Sequence, residues 1–312
     1  MPRLGRIAMK LPTLGVALML MVGPALAVAG ELEDAVQSLK DAAAKNDVNA
    51  VKKLAATIRP MTAKIVSEPA PKTADEKKAW EQRVAHAKDA QSTVESVFYT
   101  LSADAAPEVV VDLISTLEQQ NPKSKYLNDA YGPYLAALGK SPAADKGPAI
   151  AEKALANFPE NDDLLMYLTE KALAKKLNDR ALGYANRLTA AANKHAKPEG
   201  MSAEDWEFKR NAELAYGYYI AGYLSAEKGQ QTAADKNLRA GLPLIQDNPA
   251  YLGPALLYLG IANFKLGETA QNKARMLEGV KFSEQAMAIP GPHQEPARKN
   301  AAAFREAASK MP

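Results

Sequence analysis

The sequence predicts an all-α fold, an α–α superhelix (solenoid) of about five to six helical hairpins that ends in a C-terminal capping helix. Residues that favour helix, namely Ala, Leu, Lys, Glu and Gln, are abundant, and alternating runs of β-branched and aromatic residues are absent. The β-branched cluster at 109–111 follows Pro107, and proline is favoured at the first position of a helix. A recurring spacing of small and apolar residues then predicts that the helices form hairpins.

The N-terminal residues have the order of a secretory signal peptide. Three basic residues precede an apolar run over 11–22, and small residues follow Pro24. This order predicts cleavage after Ala27, so residues 1–27 are expected to be a signal peptide and the mature protein to be periplasmic or secreted. The apolar run is shorter than the ~20 residues that cross a bilayer, so no membrane span is expected after cleavage.

The charge of the chain argues against nucleic-acid binding, and the cysteine content means that the fold has no disulfides. The chain carries 39 basic and 36 acidic residues, and removal of the three basic residues of the signal leaves 36 of each. A neutral chain without a dense basic block is not expected to bind nucleic acid. Because the sequence has no cysteine, disulfides make no contribution, and stability must come from burial of apolar area.

The recurring spacing defines what we call the seam positions of each hairpin. A central residue has apolar residues one and four positions before it, and small or apolar residues twelve, sixteen and nineteen positions after it. The six centres are Val36, Phe98, Leu135, Thr169, Gly222 and Gly260. In the first copy Lys52 breaks the pattern, and in the last copy the second helix is displaced by seven residues, to Gly279, Ser283 and Ala286.

Two structural expectations follow from these positions. Antiparallel helices approach closely only where side chains are small, so Gly222 is expected to face Ala234 and Gly241. A proline after the second helix, such as Pro60 or Pro122, is expected to end that helix and turn the chain into the next hairpin.

The spacing resembles that of the tetratricopeptide repeat (TPR), and the resemblance covers most of the chain after the signal. The centres Leu135, Thr169, Gly222 and Gly260 lie 34, 53 and 38 residues apart. Since the family period is about 34 residues, the middle interval is expected to hold an extension. The tryptophan that the family carries early in its first helix is absent. The alternative is an irregular α–α superhelix without true repeats.

Breaks in the pattern predict the domain organisation. The expected segments are an N-terminal helical hairpin over 28–67, a proline-rich linker over 68–73, a TPR-like repeat domain over 74–290 and a capping helix within 291–312. Thr73 and Glu76 match a capping box that begins a long helix. After a break at 197–200, Ser202 is expected to begin the next helix.

Catalytic, metal and cofactor sites are not expected. The three histidines, His86, His195 and His293, are far apart in sequence and are expected on the surface. Neither a Gly-x-Ser-x-Gly turn nor a glycine-rich phosphate loop occurs. The acidic run at 160–163 lacks the glycine and distal glutamate of a calcium loop and is expected to cap a helix. The sequence therefore predicts no cofactor.

The candidate binding residues form a tyrosine stripe. Tyr216, Tyr219 and Tyr223 share one helical face. The TPR resemblance implies that this face of the first helices lines a groove for a peptide or a partner subunit. The same register adds Met166, Glu170 and Leu173 on the preceding hairpin and Leu257, Ile261 and Phe264 on the next. The alternative is that the tyrosines pack against the inserted segment around Trp206 and Phe208.

The expected function is that of a non-catalytic extracytoplasmic scaffold for protein–protein interaction. A structural subunit of a cell-envelope assembly is a second hypothesis. A third is an α-helical carbohydrate-active enzyme, which needs paired carboxylates that converge with aromatic residues in a cleft.

Overall fold

The structure is a computed structural model that describes the backbone of residues 24–311 and the side chains of residues 30–311. Within this range the fold is all-α, with thirteen α-helices, one short 3-10 helix and no strand. The predicted signal peptide, residues 1–27, lies outside the residues whose side chains are described. None of the helices in the described range is long and apolar enough to span a membrane.

The helices follow one another with short connections. Their bounds are α1 Pro24–Ala44, α2 Val48–Ser67, α3 Ala74–Ser102, α4 Pro107–Gln120, α5 Lys125–Gly139, α6 Gly147–Ala154, α7 Asp162–Ala174, α8 Asn178–Lys194, α9 Ala203–Glu227, α10 Gln231–Ile245, α11 Pro249–Thr269, α12 Lys273–Ala288 and α13 Gln294–Ser309. The 3-10 helix, Ala144–Lys146, precedes α6.

The predicted helix starts are confirmed where a local cap determines them. Thr73 directly precedes α3, and its hydroxyl donates a hydrogen bond at 2.6 Å to the carboxylate of Glu76 in the first turn of that helix. The Ser202 hydroxyl accepts from the Asp205 backbone N–H at 3.0 Å and caps α9. Pro107 is the first residue of α4. These starts depend on residues within one turn, so the sequence is sufficient to predict them.

The chain divides into two compact units, one that ends at Val97 and one that begins at Phe98. In the described part of the first unit, α1 packs against α2 and buries Leu32, Leu39, Val51 and Ile58 completely. Asp47 is the N-cap of α2, because its carboxylate accepts from the Ala50 backbone N–H at 2.9 Å.

In this unit the structure corrects the role expected of Pro60. The helix does not end near this residue but continues to Ser67, with Pro60 inside it. The buried stripe of α2 extends past the proline through Thr62 and Ile65. The continued apolar contact therefore outweighs the one backbone hydrogen bond that a proline removes.

The second unit is built from helices that pack in chain order. Each helix from α4 to α13 contacts the next one, and α5, α7, α9, α11 and α13 also contact each other in succession. The predicted seam positions occupy this packing. Those centred on Leu135, Thr169 and Gly260 are buried on both helices of their hairpins. A helical array of sequential pairs is thus confirmed.

Several glycines lie where two helices of this array approach closely. A Cβ added at Gly260 would lie 3.0 Å from the Gly279 carbonyl oxygen and 3.2 Å from the Ser283 backbone nitrogen. The displaced register predicted for α11 and α12 is therefore confirmed.

The contact expected of Gly222 is corrected in detail. A Cβ at Gly222 would lie 2.7 Å from Leu238 Cδ2, and Gly241 faces Tyr218 instead. Leu238 lies between Ala234 and Gly241 on α10 and is long enough to fill the space that Gly222 leaves.

Candidate functional site

The three stripe tyrosines lie on one face of α9, where they are half-buried. They pack against a core cluster that includes Ala172 of α7 and Ala185 of α8, and Tyr219 also packs against Leu259 of α11. Neither Trp206 nor Phe208 is among the residues of these clusters. Trp206 lines a cavity nearer the start of the helix, and Phe208 is 78% exposed. The tyrosine rings are thus anchored by the hairpin cores on either side.

Two further tyrosines, both from α11, complete this surface. The ring centroid of Tyr251 lies 4.8 Å from that of Tyr219, and the centroid of Tyr258 lies 5.1 Å from that of Tyr223. Tyr219 and Tyr223 are stacked on each other at 6.4 Å. We call the five residues Tyr216, Tyr219, Tyr223, Tyr251 and Tyr258 the tyrosine face.

Three hydroxyl groups of the tyrosine face, those of Tyr216, Tyr219 and Tyr258, have a raised pKa and are held in the protonated form. Burial is the largest cause of the raised pKa of Tyr216, and the charge of Glu170 and the neighbouring Tyr251 add to it. Burial also raises the pKa of Tyr258, followed by a hydrogen bond with Glu227. Neutral hydroxyls both donate and accept hydrogen bonds, so the face presents rings and polar groups without adding charge.

The structure brings together only some of the other predicted groove residues. On α7, Glu170 acts on Tyr216 through its charge, and Leu173 packs against the same core cluster as the stripe. Met166 is half-buried one turn before Glu170.

The residues predicted on α11 point to a different neighbour. Phe264 stacks on Phe304 of α13 with ring centroids 4.0 Å apart, and Leu257 packs against the cluster that contains Ala297 of α13. Ile261 is half-buried between them along the helix. The contribution of α11 to the tyrosine face therefore comes from Tyr251 and Tyr258, which the seam spacing did not select. Their aromatic side chains were the available signal.

The structure corrects the histidine prediction for His293, whereas His86 and His195 have exposed or partly exposed side chains. His86 is exposed, but His293 is only 7% exposed, packed against Gly253 and Gly291. His195 Nδ1 lies 2.9 Å from Asp162 Oδ2, although the two residues are 33 positions apart. Within residues 30–311, no three histidine, aspartate or glutamate side chains form a group that could hold a metal ion.

The acidic run at 160–163 does cap a helix, as predicted. Asn161 is the N-cap of α7, and its side chain accepts from the Leu164 backbone N–H at 2.8 Å. Asp162 and Asp163 follow in the first turn, where negative charge is favourable. The same carboxylates also line a cavity, a placement that sequence spacing did not reveal.

Comparison of the chain with models of known protein families finds no family that matches, and comparison with curated proteins finds no match.

Proposed function

We propose that this protein is an exported, non-catalytic scaffold with TPR-like repeats, and that it binds a peptide segment of a partner protein on the tyrosine face. The observation that carries the proposal is the joining of five half-buried tyrosines from two successive first helices into one surface. Glu170 of α7 extends this surface toward the preceding hairpin.

The packing order supports a continuous binding surface. The first helices α7, α9 and α11 contact one another in succession, so equivalent side chains lie side by side and not on isolated helices. An extended peptide laid across them would meet one helix after another. This arrangement is typical of helical repeat proteins that bind peptides.

The chemistry of the surface indicates the kind of peptide. Tyrosine offers a large contact area at a low cost in side-chain entropy, and its hydroxyl can bond to peptide backbone groups. Glu170 and Glu227 lie at the edges of the face and add negative charge. A segment with apolar side chains and at least one basic residue therefore matches this surface best.

The repeat interpretation is supported by the seam positions and their spacing. Two hairpins, α9 with α10 and α11 with α12, approach closely at the glycine centres that the TPR spacing selects, although the partner positions on α12 are displaced by seven residues. The interval between Thr169 and Gly222 is lengthened by the connection after α8 and by the first half of α9, a helix of 25 residues.

A selected peptide provides the test. A peptide library is screened against the immobilised mature protein, and the affinity of the best binder is measured by fluorescence anisotropy. Tyr219→Ala removes the ring that contacts both Tyr223 and Tyr251, and it should weaken binding by about thirtyfold, as at an interface hot spot.

Tyr184→Ala is the matched control. Tyr184 packs against the same core cluster, but it does so from α8, a second helix. This variant should lose comparable packing and keep its affinity. If both variants bind the peptide equally well at matched thermal stability, the binding surface lies elsewhere on the protein.

The carbohydrate-enzyme hypothesis has one observation in its favour. The cavity beside α7 brings Asp129, Asp162 and Asp163 together with Trp206, the combination that such an enzyme requires. Hydrolysis of a soluble glycan by the purified protein, abolished in Asp163→Asn, would support this function over the scaffold.

A further inference from the structure

The second unit contains a cavity of about 730 Å³ at the start of α7. Its walls come from the end of α3, from α5, from the connection between α6 and α7, from the first turn of α7, from the segment between α8 and α9 and from the start of α9. None of the tyrosine-face residues lines it. The cavity is therefore a separate place at which a ligand could be held.

Carboxylates dominate the polar lining. Asp162, whose side chain is 8% exposed, pairs through Oδ2 with His195 at 2.9 Å and with Lys209 at 3.8 Å. Its other oxygen, Oδ1, has no hydrogen-bond partner among the described residues. A buried carboxylate oxygen without a donor is costly, so the site is one donor short.

Two more carboxylates lack a cationic partner. Within the described chain, neither Asp129 nor Asp163 has a lysine, arginine or histidine within ion-pair distance. Burial raises the pKa of Asp163, and although the charge of Lys209 acts to lower it, Asp162 and Asp129 raise it further. These carboxylates repel one another, Asp162 and Asp163 from partly or wholly buried positions and Asp129 from an exposed one.

The nearby positive charges are already committed to other acids. Lys209 donates a hydrogen bond to Glu213, whose side chain is only 3% exposed. Lys194 donates to Glu160 at 2.6 Å. With Glu160 neutralised by Lys194, three lining carboxylates, Asp129, Asp162 and Asp163, remain against Lys209 and His195, so the cavity carries a net negative charge.

Aromatic rings form the apolar part of the wall. Trp206, Phe158 and Tyr99 all line the cavity. The faces of such rings attract organic cations, and tryptophan does so most strongly. Acidic and aromatic groups that share one cavity are the combination by which proteins recognise cationic nitrogen.

We propose that this cavity is a binding site for an organic primary ammonium group, contributed either by a free small amine or by a lysine side chain of a peptide. The ammonium supplies hydrogen-bond donors and positive charge to Asp129, Asp162 and Asp163, while the alkyl chain that carries it lies against Trp206. The site is independent of the tyrosine face and of the function proposed for it.

The fluorescence of Trp206 provides the readout. In the mature protein with Trp80→Phe, Trp206 is the only tryptophan, because the chain has two. The two probes are 1,5-diaminopentane and the peptide acetyl-Gly-Lys-Gly-amide. The matched control peptide carries norleucine in place of lysine. If only the diamine binds saturably, the cavity is a small-molecule site. If only the lysine peptide binds saturably, the cavity is a peptide site.

The variants identify the carboxylates as the cause. Asp163→Asn and Asp129→Asn should each weaken binding of the active probe by about tenfold or more, because each removes one uncompensated charge. Asp145→Asn makes the same chemical change at an exposed position outside the cavity and should leave binding unchanged. Norleucine peptide should bind at least about tenfold more weakly than lysine peptide.

The opposite results are equally clear. Absence of saturable binding by both probes, or equal binding of the lysine and norleucine peptides, overturns the proposal. So does equal weakening by Asp145→Asn and Asp163→Asn, since long-range charge would then explain the effect. As a second measurement, raised salt should weaken binding of the probe to the unsubstituted protein, and affinity that is unchanged by salt also overturns the proposal.

Discussion

Alanine in place of Gly279 should push α11 and α12 apart. The added Cβ would lie 2.7 Å from the Gly260 carbonyl oxygen and 2.8 Å from the Phe264 backbone nitrogen. Both atoms belong to a helix backbone and cannot rotate away, so the overpacking cost falls near the upper end of the usual range, about 3 kcal/mol. The better helix propensity of alanine returns up to about 1 kcal/mol. The expected net loss of unfolding free energy is about 2 kcal/mol.

The matched control for this substitution is Gly183→Ala. Gly183 is an exposed residue within α8, and nothing lies within 4 Å of an added Cβ. This variant should gain about 0.5–1 kcal/mol, because only the helix propensity changes.

Urea unfolding followed by Trp206 fluorescence in the Trp80→Phe background reports on the second unit, which contains both glycines. Equal or greater stability of Gly279→Ala would refute the backbone contact between α11 and α12 and, with it, the displaced seam register.

Three other substitutions test separate features. Burial raises the pKa of Asp163, so the contribution of this residue to stability is present at low pH and is lost as the pH rises through the folded-state pKa. Asp163→Asn should therefore raise the melting temperature at pH 7. This advantage should be lost at about pH 3.5, where the carboxyl of the unsubstituted protein is protonated. Tyr131→Phe removes the 3.1 Å hydrogen bond to the buried Glu118 carboxylate and should lower stability in urea by about 1.5–3 kcal/mol. Phe208→Ser, at a 78% exposed position, should change the unfolding free energy by no more than about 0.5 kcal/mol.

Helices and their pairing could be predicted because the determinants are local or periodic. The caps at Thr73 and Ser202 act within one turn, and each seam residue lies on the same face as its neighbours three or four positions away. The displaced seam of α12 was visible because Gly279 and Ser283 preserve the spacing of small residues. Pro60 shows the limit of such local rules, since the buried stripe beyond it decides the outcome.

The sites were harder to predict because they join residues from different hairpins. Tyr216, Tyr219 and Tyr223 share a helix, so their common face follows from helical geometry, whereas the approach of Tyr251 and Tyr258 depends on how α9 and α11 pack. Spacing within one helix contains no information about such packing.

The acidic cavity raises the same difficulty. His195 pairs with a carboxylate that lies a whole hairpin earlier in the chain. The acidic residues of the cavity lie at the start of a helix, where a role in helix capping already accounts for them. Neither composition nor spacing therefore distinguishes the cavity from ordinary helix capping.

The chain-order packing of the second unit has a consequence for how the protein folds. Because each helix from α4 to α13 relies mainly on its immediate neighbours, most tertiary contacts close short loops, and the relative contact order is low. Such a chain can begin to fold at several points and extend from helix to helix, and it can fray from its last helix inward. The tyrosine face, with hairpins on both sides, would then be among the last parts of the unit to open.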